Sequence, residues 1–348
     1  MKHLLLSLLL VGGAALALTS NAAAHPLGSF TVNRYSRIEV GPEPHGIAAT
    51  AAGDMVFITL ERKKKEKGEL LWFDPVTETV IRRMKIGAKP NQLAVTPDGK
   101  IAYVPCDDGT YWVIDTAKAE VVTKIYTGGR PHNTLCSPDG KRMYLAPMER
   151  ADKVTICDTA THAVLGEIAF SGAVRPIAIS ADETRFYANV DGLIGFEVAD
   201  ITRRRVIHRV EADPPKDLRS VGSRGHGIGI RPDQKELWMC DVARARCYVF
   251  DLTVEPPTQT QSIAMDGDVY WLTFNPDGKT CYVSEREANT VAVVDTAAKQ
   301  VKAHIPVGKV PKRTLVLTPP AQPLAQPDAP TKPKDAGATS PASGTGWP

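Results

Sequence analysis

Between residues 41 and 318 the chain alternates short apolar runs with clusters of turn-forming residues, and the alternation itself repeats. The stretch 90–128 reads PNQLAVTPDGKIAYVPCDDGTYWVIDTAKAEVVTKIYTG, and 131–172 and 269–308 follow the same order. An apolar run ends in Pro-Asp-Gly, and a second run centred on Tyr103, Tyr144 or Tyr282 follows. A third alternates and ends in Asp-Thr, and a fourth runs to a glycine. Alternation with a period of two between turn signals marks half-buried strands, and the turn residues fall where hairpins need them. No long stretch has the apolar period of a helix. The predicted class is all-β.

The turn aspartates Asp98, Asp139, Asp182, Asp233 and Asp277 stand 41, 43, 51 and 44 residues apart. Four strands at that period is the pattern of propeller blades. First strands are predicted at 45–50, 91–96, 132–137, 175–180, 226–231, 270–275 and 312–318. Residues 25–318 are therefore expected to form a seven-bladed β-propeller of four-stranded antiparallel blades. The seventh first strand has no companions downstream. The alternating segment 29–40 is expected to complete that last blade as an N-terminal strand and close the ring, leaving no long open edge.

The repeats resemble the YVTN family of seven-bladed propellers, on the strength of LAVTPDGKIAYV…YWVIDT and LTFNPDGKTCYVSEREANTVAVVDT. The likeness covers nearly all of 41–318. It departs in the first repeat, which has TAAGD at the turn, and in the fourth, which has SADET. It implies the fold and leaves function open, because related propellers bind partners, carry redox cofactors or catalyse. The segment 25–41, HPLGSFTVNRYSRIEVG, also resembles the start of the soluble segment of nickel/cobalt efflux proteins.

Aligning the first strands brings one position of each repeat to the mouth of the central channel: His45, Asn91, His132, Arg175, His226, Tyr270 and Arg313. All seven are polar, whereas the positions that follow are mostly Ile, Leu, Ala and Val. Residues distant in sequence thus converge on one axis. Three readings stand open. The ring is a water-filled funnel; it is a site for an anion or polar small molecule, with Arg175 and Arg313 offering forked donors; or His45, His132 and His226 hold a divalent metal such as zinc or copper. The two arginines argue against a cation. The irregular loops 61–69 and 203–224 are placed on the same side, where variation and charge over a rigid scaffold commonly bind.

The ends and the composition narrow the picture. Lys2 and His3 precede an apolar run, Leu4 to Leu18, and then TSNAAA, so residues 1–24 read as a signal peptide cleaved after Ala24. The run is too short for a membrane span, and no transmembrane segment is expected. Localisation is predicted as periplasmic or secreted. Residues 319–348, rich in Pro and Ala, read as a disordered tail. A net charge of +3 offers no broad field for nucleic acid. Six cysteines occur without CxxC or CxxCH, which argues against c-type haem and cysteine-rich zinc. MCDVARARCYV reads as a hairpin that sets Cys240 opposite Cys247, and a disulfide is expected there.

GxSxG, HExxH, phosphate-binding loops and paired-carboxylate motifs are all absent. No catalytic residue is assigned, and the cofactor is unknown, a divalent metal being the candidate. The leading expectation is a monomeric binding or scaffold protein that engages a protein partner or a small polar or anionic ligand at the channel mouth. The alternative is a metal-dependent lyase or lactonase, or a redox-cofactor propeller, working from the same ring.

Overall fold

The computed structural model describes residues 6–8, 25–27, 30–32, 36–62, 66–149, 151–212 and 225–317. Helices are absent among them, and strands make six four-stranded antiparallel meanders in chain order. Their first strands are Pro44–Ala49, Ala94–Val95, Arg130–Cys136, Val174–Ile179, Gly225–Ile230 and Val269–Phe274. Units one, two, five and six are separate sheets. Units three and four merge into one eight-stranded sheet through a single parallel pair, Ala169 with Arg205. The result is all-β, a propeller-like ring of small sheets.

The core lies between units, face against face. Phe57 and Trp72 of unit one pack on Val104 and Ile114 of unit two. Tyr144 and Ile156 of unit three meet Phe186 and Ala199 of unit four, and Phe196 of unit four meets Phe250 of unit five. Such pairing explains why these strands read as apolar runs: both faces of a middle strand are covered.

The turns behave as the repeat predicts. Asp98 accepts from Thr96 Oγ1 at 2.7 Å and from the Lys100 N–H at 3.1 Å. Asp139 does the same with Ser137 and Lys141, at 2.7 and 3.0 Å. The threonine of each Asp-Thr pair closes the same corner: Thr116, Thr159 and Thr296 donate to the carbonyls of Gly99, Gly140 and Gly278 at 2.5–2.6 Å. Gly99 and Gly140 sit at φ +70° and +76°, a region that suits glycine. In the divergent fourth repeat Glu183 takes that conformation instead, at φ +56°. Arg142 grips its carboxylate with two bonds of 2.8 Å, and Tyr144 Oη donates to it at 2.6 Å.

The closing segment differs from expectation. Ser36–Ile38 pairs with Leu6–Leu8, and residues 311–316 form no ladder, with one bridge residue at Leu317. Closure comes from packing. Leu315 and Leu317 join Ile38 and Val40 against Ile47, Ile58 and Phe73 of unit one, while Val316 packs on Tyr282 and Val293 of unit six. Alternating side chains thus seat residues 312–317 between the sixth unit and the first. Thr273 and Ser284 of unit six donate to the carbonyls of Thr314 and Lys312, at 2.8 and 2.7 Å.

Cys240 and Cys247 are direct cross-strand partners, as the hairpin predicts. Both thiols are buried, and the sulfurs lie 3.8 Å apart without an S–S bond between them. They lie with Cys281 among Trp238, Val249 and Val283, as packing atoms.

Candidate functional site

A recurring irregularity aims the ring residues inward. In five units the ladder between first and second strands slips at the aligned position: between Pro44 and Ile47, Pro131 and Asn133, Val174 and Ile177, Gly225 and Ile228, and Val269 and Trp271. His45, His132, Arg175, His226 and Tyr270 fall on these β-bulges. A bulge releases a residue from the ladder and re-aims its side chain. In unit two the first strand is cut to Ala94–Val95, and Asn91 precedes it with its N–H bonded to the Pro105 carbonyl at 2.9 Å.

Polar side chains opposite three of the bulges tie one unit to the next. Thr59 Oγ1 accepts from the Gly46 N–H at 2.8 Å and donates to the Asn91 carbonyl at 3.0 Å. Asn189 donates to the His226 carbonyl at 2.7 Å. Ser284 accepts from the Trp271 N–H at 3.0 Å and donates to Lys312. Neighbouring strands come close here: a Cβ on Gly46 would lie 2.3 Å from the Asn91 carbonyl oxygen, and one on Gly227 would lie 2.7 Å from Trp271 Cα.

The ring residues are buried. Six of its residues are between 4% and 8% exposed, and Arg175 is the outlier with 12% of its side chain exposed. The His132 and His226 rings meet edge to face at 6.1 Å, and His226 stacks on Tyr270 at 3.7 Å. The Arg286 guanidinium covers Tyr270 at 4.6 Å, and that of Arg313 lies 3.8 Å over Trp271. These ring contacts and the close-approaching strands hold the ring residues away from bulk solvent.

Several polar atoms here find no partner among the described residues: His45 Nε2, His132 Nδ1, His226 Nδ1 and all three guanidinium nitrogens of Arg313. Burial brings His45 down to about 4, and brings His132 and His226 well below the usual histidine range. The Arg313 charge pushes all three the same way. Burial also lowers Arg313, to about 10, so it remains charged at neutral pH. Burial pushes the Glu61 carboxyl up, but the His45 hydrogen bond and the nearby Lys312 charge help to outweigh it and bring it to about 2. Glu61 Oε2 lies 3.2 Å from His45 Nδ1 and 3.4 Å from Lys312 Nζ. An ionised carboxylate only accepts, so Nδ1 of neutral His45 carries the proton and Nε2 presents a lone pair.

As a metal centre the three histidines are not assembled. Among the described residues no group of three His, Cys, Asp and Glu side chains could hold an ion. Their one unanswered neighbour is the cation Arg313, and His132 and His226 meet ring edge to ring face. The other arginine of the ring is occupied, with Arg175 Nε 2.5 Å from Asp191. Around the rim, Arg130 bridges Asp107 and Glu149 at 2.7 and 3.1 Å, and Arg286 bonds Asp268 at 2.7 Å. Arg150 and residues 213–224 lie outside the described residues.

Trp271, Glu61 and Lys312 were not assigned to the ring from sequence. Trp271 and Lys312 each adjoin an aligned ring residue, and Glu61 opens the irregular loop 61–69, so position alone singles them out.

No protein-family model and no curated protein matches the chain. The YVTN likeness thus rests on the repeat motifs alone. Among solved structures the chain is similar to hydrazine synthase of Kuenenia stuttgartiensis, at 20% identity and a TM-score of 0.68. The match covers 79% of this chain and 89% of that one. At that identity the likeness speaks for the fold, a propeller-like all-β ring, and 1743 solved chains match it.

Proposed function

We propose that this chain is an exported, seven-bladed propeller that works by binding, with a small ligand or a protein partner engaged at the axial ring. The observation that carries the reading is the convergence of orphaned, buried polar atoms from four different repeats, on His45, His132, His226 and Arg313. Buried polar groups are ordinarily hydrogen-bonded, and leaving several unpaired at one place is costly unless something else completes them. Residues 312–317 supply the seventh radial position, between units six and one. The N-terminal Lys2, the apolar run and TSNAAA support export.

Thermal-shift screening of the mature protein against neutral sugars, amines and small acids tests the binding role, in parent, His132→Leu and Tyr270→Ala. A ring site gives at least one responder in the parent whose shift is lost in both variants. Responses that survive both substitutions place the ligand elsewhere. For export, the purified mature protein should begin at His25 by N-terminal sequencing.

A further inference from the structure

Among the described residues the charges around the axis cancel in pairs with one exception. Arg175 is answered by Asp191, Lys312 by Glu61, and Arg286 by Asp268. Arg313 is 7% exposed, and no acceptor among the described residues meets Nε, Nη1 or Nη2. Trp271 occupies one face of its guanidinium, which attracts the charge but leaves the N–H edge free to donate. The groups around it are the imidazoles of His45, His132 and His226, which carry unpartnered nitrogens, and Tyr270.

We propose that the axial ring takes a small oxoanion, a carboxylate or phosphate group, with Arg313 as its principal donor and His132 and His226 beside it. A lone buried guanidinium is a standing cost that a hydrophobic residue of like volume would remove. Two oxygens on one atom match its fork, and the resulting bonds are charge-assisted. A metal ion would meet the same charge as repulsion, and a neutral guest would leave it unanswered. The orphaned nitrogens are sealed from solvent, so a guest reaches them only as the ring side chains part, which favours a small one. This rests on the reading of the ring as a ligand site and adds the sign and geometry of the ligand.

The test is titration of the mature protein with sodium acetate, sodium succinate and sodium phosphate, against sodium chloride at matched ionic strength, with glucose as the neutral control. Calorimetry and melting temperature are read for the parent, Arg313→Met and Arg313→Lys. At least one oxoanion should raise the parent's melting temperature by several degrees where chloride does not. Binding should fall at least tenfold or so in Arg313→Met and recover in part in Arg313→Lys. Without added anion, Arg313→Met should melt at or above the parent, because it no longer buries an unpaired charge. A response confined to acetate and succinate assigns a carboxylate, and one confined to phosphate assigns a phosphate.

Oxoanions that do no more than chloride in the parent overturn the proposal, as does an Arg313→Met protein that responds like the parent. If glucose or another neutral compound binds at the ring while no oxoanion does, the ring stands as a site and this proposal falls. Should Arg313→Met fail to fold, Arg313→Lys decides, since an undiminished oxoanion response there removes the need for the fork.

Discussion

The two ends of each four-stranded unit treat polar groups in opposite ways. At the Pro-Asp-Gly end every turn completes itself: Asp98 and Asp139 each collect a hydroxyl and a backbone N–H, and a threonine closes on the glycine carbonyl. At the axial end the backbone is tied from unit to unit by Thr59, Asn189 and Ser284, while side chains of the ring are left with unmet valences. The first arrangement is local and is repeated with the sequence. The second exists only once the units are assembled, because its members come from different repeats. Repetition therefore marks what holds each unit together, and its breakdown marks where the assembled ring has unspent capacity.

Acid should separate the two ends most widely. His45 is held to about 4 in the fold, against its ordinary 6.5. A histidine pulled down on folding refuses a proton that the unfolded chain accepts. Its contribution is therefore complete above about pH 6.5 and is lost as the pH falls toward 4. Across that window the loss is roughly 3 kcal/mol for this one group. His132 and His226 act in the same direction. The turn carboxylates Asp98 and Asp233 are lowered to about 2, by hydrogen bonds from Thr96 and Arg231 first, so their contribution is lost only as the pH falls from near 4 toward 2. Denaturant unfolding measured from pH 7 to 4.5 should show a steep decline that His45→Gln makes shallower. A flat profile down to pH 4.5 would break the contrast.

The ties between units come next in size. Thr59→Val keeps the shape of the side chain but leaves the Gly46 N–H and the Asn91 carbonyl without their shared hydroxyl. Ser284→Ala does the same to Trp271 and Lys312. Each should cost about 1–3 kcal/mol in equilibrium unfolding, because buried partners are left unpaired. A cost within error would mean that the backbone closes the gap unaided.

Asp139→Ala, at a turn, should cost about 1 kcal/mol, since water can replace much of what Ser137 and Lys141 lose. It should leave every ligand response of the ring unchanged. A lost response in this variant would mean that the two ends are coupled.

The smallest expected effect concerns the thiols. Burial raises Cys240 and Cys281 well above the usual thiol range, and a thiol that stays protonated is a poor nucleophile. Iodoacetamide should leave Cys240, Cys247 and Cys281 unmodified in the native protein and alkylate all three after unfolding. Mass spectrometry that finds Cys240 bonded to Cys247 in protein from an oxidising compartment would reverse the assignment of free thiols.

Much of the fold was legible because turn chemistry is local. Pro-Asp-Gly and Asp-Thr set hairpins wherever they occur, and six of the expected units stand as four-stranded meanders. The alignment also picked out the ring positions, since their polar identities break an apolar pattern. What sequence could not give was their burial. That depends on Gly46 and Gly227 letting neighbouring strands approach, and on Tyr270 and Trp271 stacking on residues of other repeats. The difference between the two ring arginines was hidden for the same reason: Asp191 reaches Arg175 from the turn after the strand Arg185–Val190, and nothing comparable among the described residues reaches Arg313. The partner of the N-terminal strand was not legible, because alternation states which face is apolar and says nothing of which edge will be paired.

The β-bulge at the ring position has a consequence for change over time. A residue set outside the ladder owes little to its own sheet, so its replacement leaves strand register and turn geometry intact. Histidine, arginine and tyrosine already occupy equivalent bulges in this one chain. Such a position can be exchanged one unit at a time, and each exchange alters a single sector of a shared axial surface. The scaffold thereby offers a set of independently adjustable sectors around one axis, open to selection for new guests without renegotiating the fold.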